Sequence, residues 1–299
     1  MKYDDKVSVT GTYQGRLMLF IMELCKEDYI CKKAVNFGKE DKLAIHSIMN
    51  SGNSVYLADS YNNKIYKYEF VLNEISEETV GRDPRHMCIE NDNMYVANFE
   101  SDNISVIDLS NFSLTESIPA GIKPHDVLYN KANDKLYTCC YEENEIIEYS
   151  SDREKKRLFT TDGKPMHMFV EDGNLVVMTY FVNGNIHTKI NFINIESGII
   201  EKVILMEGLA SEFDVDKSKN LLFVLNIVDK NLYIIDTAKK ETVKTVFLGG
   251  YPESLTVGEK YVYVTNSKKN QIIVIESDNL NISEVINLGF TPNCIKIIT

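Results

Sequence analysis

The feature that most constrains the fold of this chain is an internal repeat of about 40 residues. Each copy has an alternating β-rich run, a polar turn containing Asn or Asp, and a second alternating run, which is the pattern of a β-hairpin. Five copies align: VYLADSYNNKIYKYE from Val55, MYVANFESDNISVID from Met94, LYTCCYEENEIIEYS from Leu136, LFVLNIVDKNLYIID from Leu222 and VYVTNSKKNQIIVIE from Val262.

A glycine precedes each repeat, and the intervals between these glycines are 40 to 45 residues, the length of one four-stranded propeller blade. The glycines are Gly38, Gly81, Gly121, Gly163, Gly208, Gly249 and Gly289. In most units a proline follows and opens a short inner strand (A). The hairpin supplies strands B and C, and an outer strand D leads to the next glycine. Proline suits the start of strand A because it donates no ladder hydrogen bond.

The two chain ends are predicted to share the seventh blade. PNCIKIIT from Pro292 supplies only a strand A, and VSVTGTYQGRLMLFI from Val7 matches a B–C hairpin. We therefore predict an all-β, seven-bladed β-propeller of four-stranded antiparallel blades, closed by 1+3 pairing of C-terminal and N-terminal strands. Within one domain of residues 1–299, the predicted blades are 38–80, 81–120, 121–162, 163–207, 208–248 and 249–289, with a split blade of 290–299 plus 1–37.

Charge and hydropathy exclude several function classes. A net charge of −12 disfavours a nucleic-acid partner, which requires a basic face. No apolar run reaches the roughly 18 residues of a membrane span. The apolar stretch from Leu17 to Leu24 lacks the basic start and cleavage site of a signal peptide. The closure also leaves no room for a targeting segment, so we expect a cytoplasmic protein whose oligomeric state the sequence does not indicate.

One hairpin carries the residues Tyr263-Val264-Thr265-Asn266, and a second carries the variant Tyr95-Val96-Ala97-Asn98. These motifs resemble the YVTN family of β-propellers, including surface-layer-type repeat proteins, over nearly the whole chain. The resemblance implies a propeller with a binding, adhesion or unassigned role. The chain departs from the family in lacking an export signal. It has no tryptophan, and so lacks the Trp-Asp signature of WD40 propellers.

Candidate site residues follow the proline of strand A, where the D–A and B–C loops of a propeller gather around one funnel. The second residue of this strand is polar in successive blades: His86, Asp126, His167 and Glu212, followed by Ser254 and Cys294. First-position residues add Arg85, His125 and Glu253, and His46 falls near the same place in the first unit. Four of the five histidines therefore converge on one funnel, and His187, in a hairpin of the fourth blade, is expected to be exposed.

This pattern allows three interpretations. His86, Asp126, His167 and Glu212 are candidate ligands of a divalent metal ion, because imidazole and carboxylate groups are common ligands. The same groups, with His125 and Glu253, are candidate acid–base catalysts. The third interpretation is a structural polar lining without chemistry. Cys139 and Cys140, at the end of a strand B, either add thiolate ligands or are inert buried residues.

Aromatic residues are predicted at the B–C turns on the same face: Tyr13, Tyr61, Phe99, Tyr141, Tyr180 and Phe181. Together with Arg85, His46 and Cys294, the first five form a predicted ligand-binding set, suited to a small molecule or a peptide or protein segment. No catalytic sequence motif is present. The sequence therefore favours a binding protein, with a metal-dependent lyase or hydrolase as the alternative function.

Overall fold

A computed structural model of the chain describes residues 2–26, 28–37, 42–150 and 152–298. Gly38, predicted to open the first complete blade, lies outside these residues. The first fifteen strands are β1 (Lys2–Tyr13), β2 (Arg16–Cys25), β3 (Asp28–Asn36), β4 (Ile45–Ser51), β5 (Ser54–Asp59), β6 (Lys64–Glu69), β7 (Glu74–Thr79), β8 (Pro84–Glu90), β9 (Asn93–Asn98), β10 (Asn103–Asp108), β11 (Ser113–Pro119), β12 (Pro124–Asn130), β13 (Lys135–Cys140), β14 (Glu145–Tyr149) and β15 (Lys155–Thr160). The others are β16 (Lys164–Glu171), β17 (Asn174–Asn183), β18 (Asn185–Asn194), β19 (Ile200–Glu207), β20 (Ala210–Asp216), β21 (Leu221–Asn226), β22 (Asn231–Asp236), β23 (Glu241–Phe247), β24 (Pro252–Val257), β25 (Tyr261–Asn266), β26 (Gln271–Glu276), β27 (Ile282–Asn287) and β28 (Thr291–Ile298).

These strands form seven four-stranded sheets, and the fold class is the predicted all-β, seven-bladed β-propeller. In the described residues the only helical element is the short 3-10 turn Ser267–Lys269 between β25 and β26. No helix of the described chain is long and apolar enough to cross a membrane. The repeat predicted the fold class because each hairpin alternates apolar and polar residues with the period of a strand.

The closure by the two chain ends is also confirmed. β28 pairs with β1 in a sheet of order β28-β1-β2-β3, so the C-terminal strand completes a sheet of three N-terminal strands. The pairing is antiparallel and places Val9 opposite Ile295 and Thr12 opposite Thr291. Because β1 has partners on both sides, it presents no unpaired edge.

Contacts between Cα atoms group the chain into two compact units. Unit 1 comprises Met1–Lys42, Asn50–Val55 and Gly208–Thr299, and unit 2 comprises Leu43–Met49 and Tyr56–Glu207. The single-domain organisation and the residue ranges of the blades stay predictions. Each unit has its own core between neighbouring sheets. Val7, Phe20 and Tyr263 belong to one such cluster in unit 1, whereas Tyr95 and Leu136 belong to one in unit 2.

The asparagine that ends the YVTN motif contacts the glycine loop before strand A. In unit 1 the amide group of Asn266, at the end of β25, donates to the carbonyl of Gly249 at 2.9 Å and accepts from the N–H of Tyr251 at 3.0 Å. Gly250 lies between them with φ of +65°, and a Cβ there would collide with the Asn266 side chain. The asparagine of the YVTN motif therefore holds the loop that leads into the inner strand.

Candidate functional site

The inner strands of unit 2 carry the candidate site, and each of three is irregular at its start. The registers of β8 with β9, of β12 with β13 and of β16 with β17 shift just after Pro84, Pro124 and Pro165. In each case the inner strand holds one residue more than its partner, which is a β-bulge. A bulge interrupts the alternation of side chains, so two consecutive residues can reach the same neighbour. Arg85 and His86 do so, because both contact His46.

Four histidines meet on the inner strands of unit 2. His46 lies on β4, His86 on β8, His125 on β12 and His167 on β16. Their ring centroids are 4.4 Å apart for His86–His167, 4.9 Å for His46–His86, 5.1 Å for both His86–His125 and His125–His167, and 5.5 Å for His46–His125. The structure thus brings together the four histidines that the repeat predicted to converge.

Three of these imidazoles have the arrangement of a metal-ligand set. One ring nitrogen from each of His46, His86 and His125 lies within 4.8 Å of the other two. In His125, Nδ1 lies 2.9 Å from the carbonyl oxygen of Met166. A carbonyl only accepts, so Nδ1 carries the proton and Nε2 keeps its lone pair. Proteins usually orient a metal-binding histidine by such a hydrogen bond from the ring nitrogen that does not bind the metal.

Burial keeps the three imidazoles neutral. Burial, the guanidinium of Arg85 and the neighbouring His167 together lower the pKa of His46 to about 3, and burial is the largest of these effects. Burial likewise holds the pKa values of His86 and His125 well below the usual value, again with a contribution from His167. At neutral pH the rings are therefore uncharged, which is the form that binds a metal.

Asp126 and His167 lie beside the three-histidine group. The Asp126 carboxylate is 3.8 Å from His167 Nδ1. Its two oxygens accept from the N–H groups of Val127 at 2.8 Å and Met168 at 3.1 Å. Burial raises the pKa of this carboxyl to about 7, against the lowering effect of those two hydrogen bonds. Asp126 therefore connects β12 to β16 and also places an acid next to an imidazole.

An aspartate in unit 1 makes the same connection without histidines around it. Asp214, on β20, accepts from the N–H groups of Val215 at 2.9 Å and Val257 at 3.1 Å, and pairs with Lys296 Nζ at 2.9 Å. An acid on strand A can therefore serve to join neighbouring inner strands. This comparison supports a structural contribution from Asp126, in addition to any chemical one.

Aromatic side chains border the histidines on one side. Phe99 is 6.0 Å from His125 and 5.4 Å from Tyr141 between ring centroids, and the hydroxyls of Tyr141 and Tyr180 are hydrogen-bonded. Arg85 lies over the Phe99 ring at 4.5 Å. Tyr180 and Phe181 lie within β17 rather than in a turn, so their predicted turn positions are wrong. The reason is that β17 and β18 extend further than the other B and C strands.

Two lysines that were not among the predicted site residues lie over these aromatic rings. Lys123 Nζ lies 5.2 Å from the Phe99 ring centre, and Lys164 Nζ lies 4.6 Å from that of Tyr141. Both precede a strand-A proline, so the Lys-Pro pairs of two successive repeats were the available signal. Each lysine also faces an acid, Glu100 or Glu142.

For the remaining predicted site residues no contact with the histidine group is found in the described part of the chain, or they belong to unit 1. Tyr61 is 62% exposed. Tyr13, Glu212, Glu253 and Cys294 belong to unit 1, and their membership of the site stays a prediction. In unit 1, Glu253 accepts from the Ser267 hydroxyl at 2.6 Å. Burial raises the pKa of the Cys294 thiol to about 12.

Two further predictions concern Cys139, Cys140 and His187. Both thiols are fully buried among apolar side chains, in separate clusters, and burial raises their pKa values. This favours inert packing over thiolate ligation. His187 is half-buried rather than exposed, because its ring stacks on Phe181 with centroids 5.1 Å apart.

Comparisons with known proteins identify the fold and no family. No protein-family profile and no curated protein matches the chain, so the YVTN resemblance is not confirmed. Among solved structures, Kuenenia stuttgartiensis hydrazine synthase is 19% identical, with TM-score 0.71, over 81% of this chain and 79% of that one. A functionally unknown protein from Desulfotomaculum acetoxidans is 10% identical, with TM-score 0.74 and 99% of both chains covered. Apo AztD from Citrobacter koseri is 11% identical, with TM-score 0.62 and 98% and 97% covered. At these identities the similarity extends to the fold, which hosts both binding proteins and enzymes.

Proposed function

We propose that this protein is a ligand-binding β-propeller, and that its ligand is a divalent transition-metal ion held by His46, His86 and His125. The observation that carries the proposal is the approach of three imidazole nitrogens to within 4.8 Å of one another. Imidazole ligands suit zinc, copper, nickel and iron(II) and do not suit calcium or magnesium, which prefer oxygen.

The three ring nitrogens lie somewhat further apart than they would around one bound metal ion. Nitrogens at about 2.0–2.1 Å from a tetrahedral zinc ion are about 3.3 Å from each other. The three nitrogens lie up to 4.8 Å apart. Binding therefore requires ring movements of about 1 Å, which rotations about the side-chain torsions supply. Three neutral ligands also leave the metal with its full charge and with one position open.

The proposal differs from the set first predicted, in which Asp126, His167 and Glu212 accompany His86. The two carboxylate oxygens of Asp126 already accept hydrogen bonds from backbone N–H groups, and Glu212 belongs to unit 1. In the proposed set His46 and His125 accompany His86. His167 is a neighbour of the bound ion and not a ligand.

The double variant His86→Gln/His125→Gln tests this proposal. We expect one Zn²⁺ or Co²⁺ per wild-type chain, measured by elemental analysis and calorimetry on protein purified without an affinity tag. The variant should bind at least about 100-fold more weakly, because it retains one of three ligands. His187→Gln is the matched control, since it removes a histidine outside the cluster, and it should bind like the wild type. The proposal is wrong if the wild type takes up none of Zn²⁺, Co²⁺, Cu²⁺ and Fe²⁺, or if the double variant binds equally well.

A metal-assisted lyase or hydrolase is the second candidate function, and the Asp126–His167 pair is the observation that favours it. A carboxylate 3.8 Å from an imidazole nitrogen would favour the protonated form of that ring, so His167 would donate and accept a proton, and a metal held by the other histidines would supply Lewis-acid chemistry. This role would make His167 the acid–base group and leave His46, His86 and His125 as the ligands.

Hydrolysis of 4-nitrophenyl acetate by the zinc-loaded protein tests this second function. We expect the rate to exceed that of metal-free protein, and His167→Gln to lower it by about 10²- to 10⁴-fold, the usual contribution of a general acid–base group. Zinc affinity should remain unchanged in this variant. Equal rates with and without zinc would eliminate the esterase form of the proposal and leave metal binding intact.

A further inference from the structure

The side chain of Arg85 is incompletely paired at the edge of the histidine group. Its Nη2 donates to Asp83 at 2.7 Å, and its Nη1 lies 3.4 Å from His46 Nδ1. Its Nε is buried and has no hydrogen-bond acceptor among the described residues. A buried N–H group without an acceptor destabilises the folded chain, and a charged group does so more strongly. This donor therefore indicates a missing partner.

Metal binding by His46 would leave a second Arg85 donor without its acceptor. A neutral imidazole has one lone pair, and at present Nδ1 is the nitrogen that can accept from Arg85 Nη1. If Nδ1 binds the metal, that lone pair is taken. If Nε2 binds instead, Nδ1 must carry the proton and faces another N–H. In both cases Arg85 loses its contact with His46.

The charge of the occupied site would also be uncompensated. The three ligands are neutral imidazoles, so a bound divalent ion adds two positive charges next to the Arg85 guanidinium. The near acids are engaged elsewhere: Asp83 pairs with Arg85 and Asp126 accepts from the backbone. Adjacent positive charges that are withdrawn from water require an anion.

We infer that a small carboxylate is the fourth ligand of the proposed metal and that it bridges the metal to Arg85. This inference rests on the proposed metal-binding function. A carboxylate has two oxygens in one plane, so one can coordinate the metal while the other accepts from the planar guanidinium. Phe99 holds that guanidinium in place by stacking on it at 4.5 Å. Metal and carboxylate then bind cooperatively, and each raises the affinity of the other by the same factor.

Titration of Co²⁺ into the protein, with and without acetate or benzoate, tests this inference. The visible absorption of Co²⁺ reports both its binding and any change in its ligands. We expect saturating carboxylate to change the spectrum and to raise Co²⁺ affinity about 10-fold or more, a typical coupling between two ligands. Phosphate and chloride serve as comparison anions and should have smaller effects.

Variants of Arg85 separate the bridge from a general effect of charge. Arg85→Met should bind Co²⁺ without any response to carboxylate, and Arg85→Lys should show a reduced response because it keeps the charge and loses the planar pair of donors. Arg153→Met is the matched control, since it removes an arginine that lies over a different aromatic ring, that of Tyr95, and it should respond like the wild type.

The outcomes distinguish this inference from the proposed function. If Co²⁺ binds and carboxylates change neither spectrum nor affinity, or if Arg85→Met responds fully, the bridge is wrong and metal binding stands. If phosphate or chloride acts as strongly as acetate, the carboxylate assignment is wrong. If Co²⁺ does not bind, benzoate is titrated calorimetrically into the metal-free protein. Binding that Arg85→Met abolishes would then support a carboxylate site on Arg85 alone, and no binding would overturn it.

Discussion

Acidification of the metal-free protein from pH 7 to pH 5 is expected to lower the free energy of unfolding by roughly 3 to 4 kcal/mol. His46, His86 and His125 have pKa values lowered by burial in the folded chain, to about 3 for His46. In the unfolded chain they titrate near 6.5. Their stabilising contribution is therefore complete above pH 6.5 and is lost as the pH falls, by about 2 kcal/mol per histidine at pH 5.

Asp126 acts in the opposite direction. Its pKa is raised to about 7 in the folded chain, so the folded state binds a proton that the unfolded state does not. Acidification to pH 5 thus recovers about 2 kcal/mol at this carboxyl. The stability lost at the three histidines exceeds the stability recovered at the one carboxyl, which leaves the net loss of roughly 3 to 4 kcal/mol. This is a large part of the roughly 5–15 kcal/mol that stabilises a typical domain.

Denaturant unfolding at pH 7, 6 and 5 in the presence of a chelator measures this effect. His86→Gln/His125→Gln should be less stable than the wild type at pH 7 and should lose roughly 4 kcal/mol less on acidification. His187→Gln, outside the cluster, should retain the wild-type dependence. Equal pH dependence in the wild type and the double variant would show that these histidines are protonated in the folded chain, contrary to their burial.

The substitution Ile295→Ala, in the strand that closes the split sheet, should cost about 2–5 kcal/mol of unfolding free energy. Ile295 is 1% exposed on β28, lies opposite Val9, and packs in the cluster that contains Phe20 and Tyr263. Removal of its side chain leaves a cavity on the one strand that joins the C-terminus to the N-terminal strands.

Val285→Ala is the matched control, because Val285 lies on the outer strand β27 and is 38% exposed. It should change the unfolding free energy by less than about 1 kcal/mol. Truncation after Phe290 removes β28 altogether and exposes the edge of β1, so we expect aggregation. A truncated chain that stays monomeric with wild-type stability would contradict this account of the closure.

The convergence of the four histidines was predicted from the sequence, but which three of them bring their ring nitrogens closest together was not. Alignment on the proline singled out one position after it, occupied by His86, Asp126 and His167. The bulges of β8, β12 and β16 change which side chains meet, and they admit His125 from the preceding position. His46 joins through β4, which has no proline to align.

The sequence by itself determined the β-propeller and its 1+3 closure. The period-2 alternation of each hairpin, repeated every 40 to 45 residues, leaves each sheet with apolar faces that only neighbouring sheets can cover. Only the tertiary structure decided which nitrogens approach within 4.8 Å and that Arg85 Nε lacks an acceptor among the described residues. The reason is that a bulge and a ring orientation depend on packing between strands far apart in the chain, and no local residue pattern encodes them.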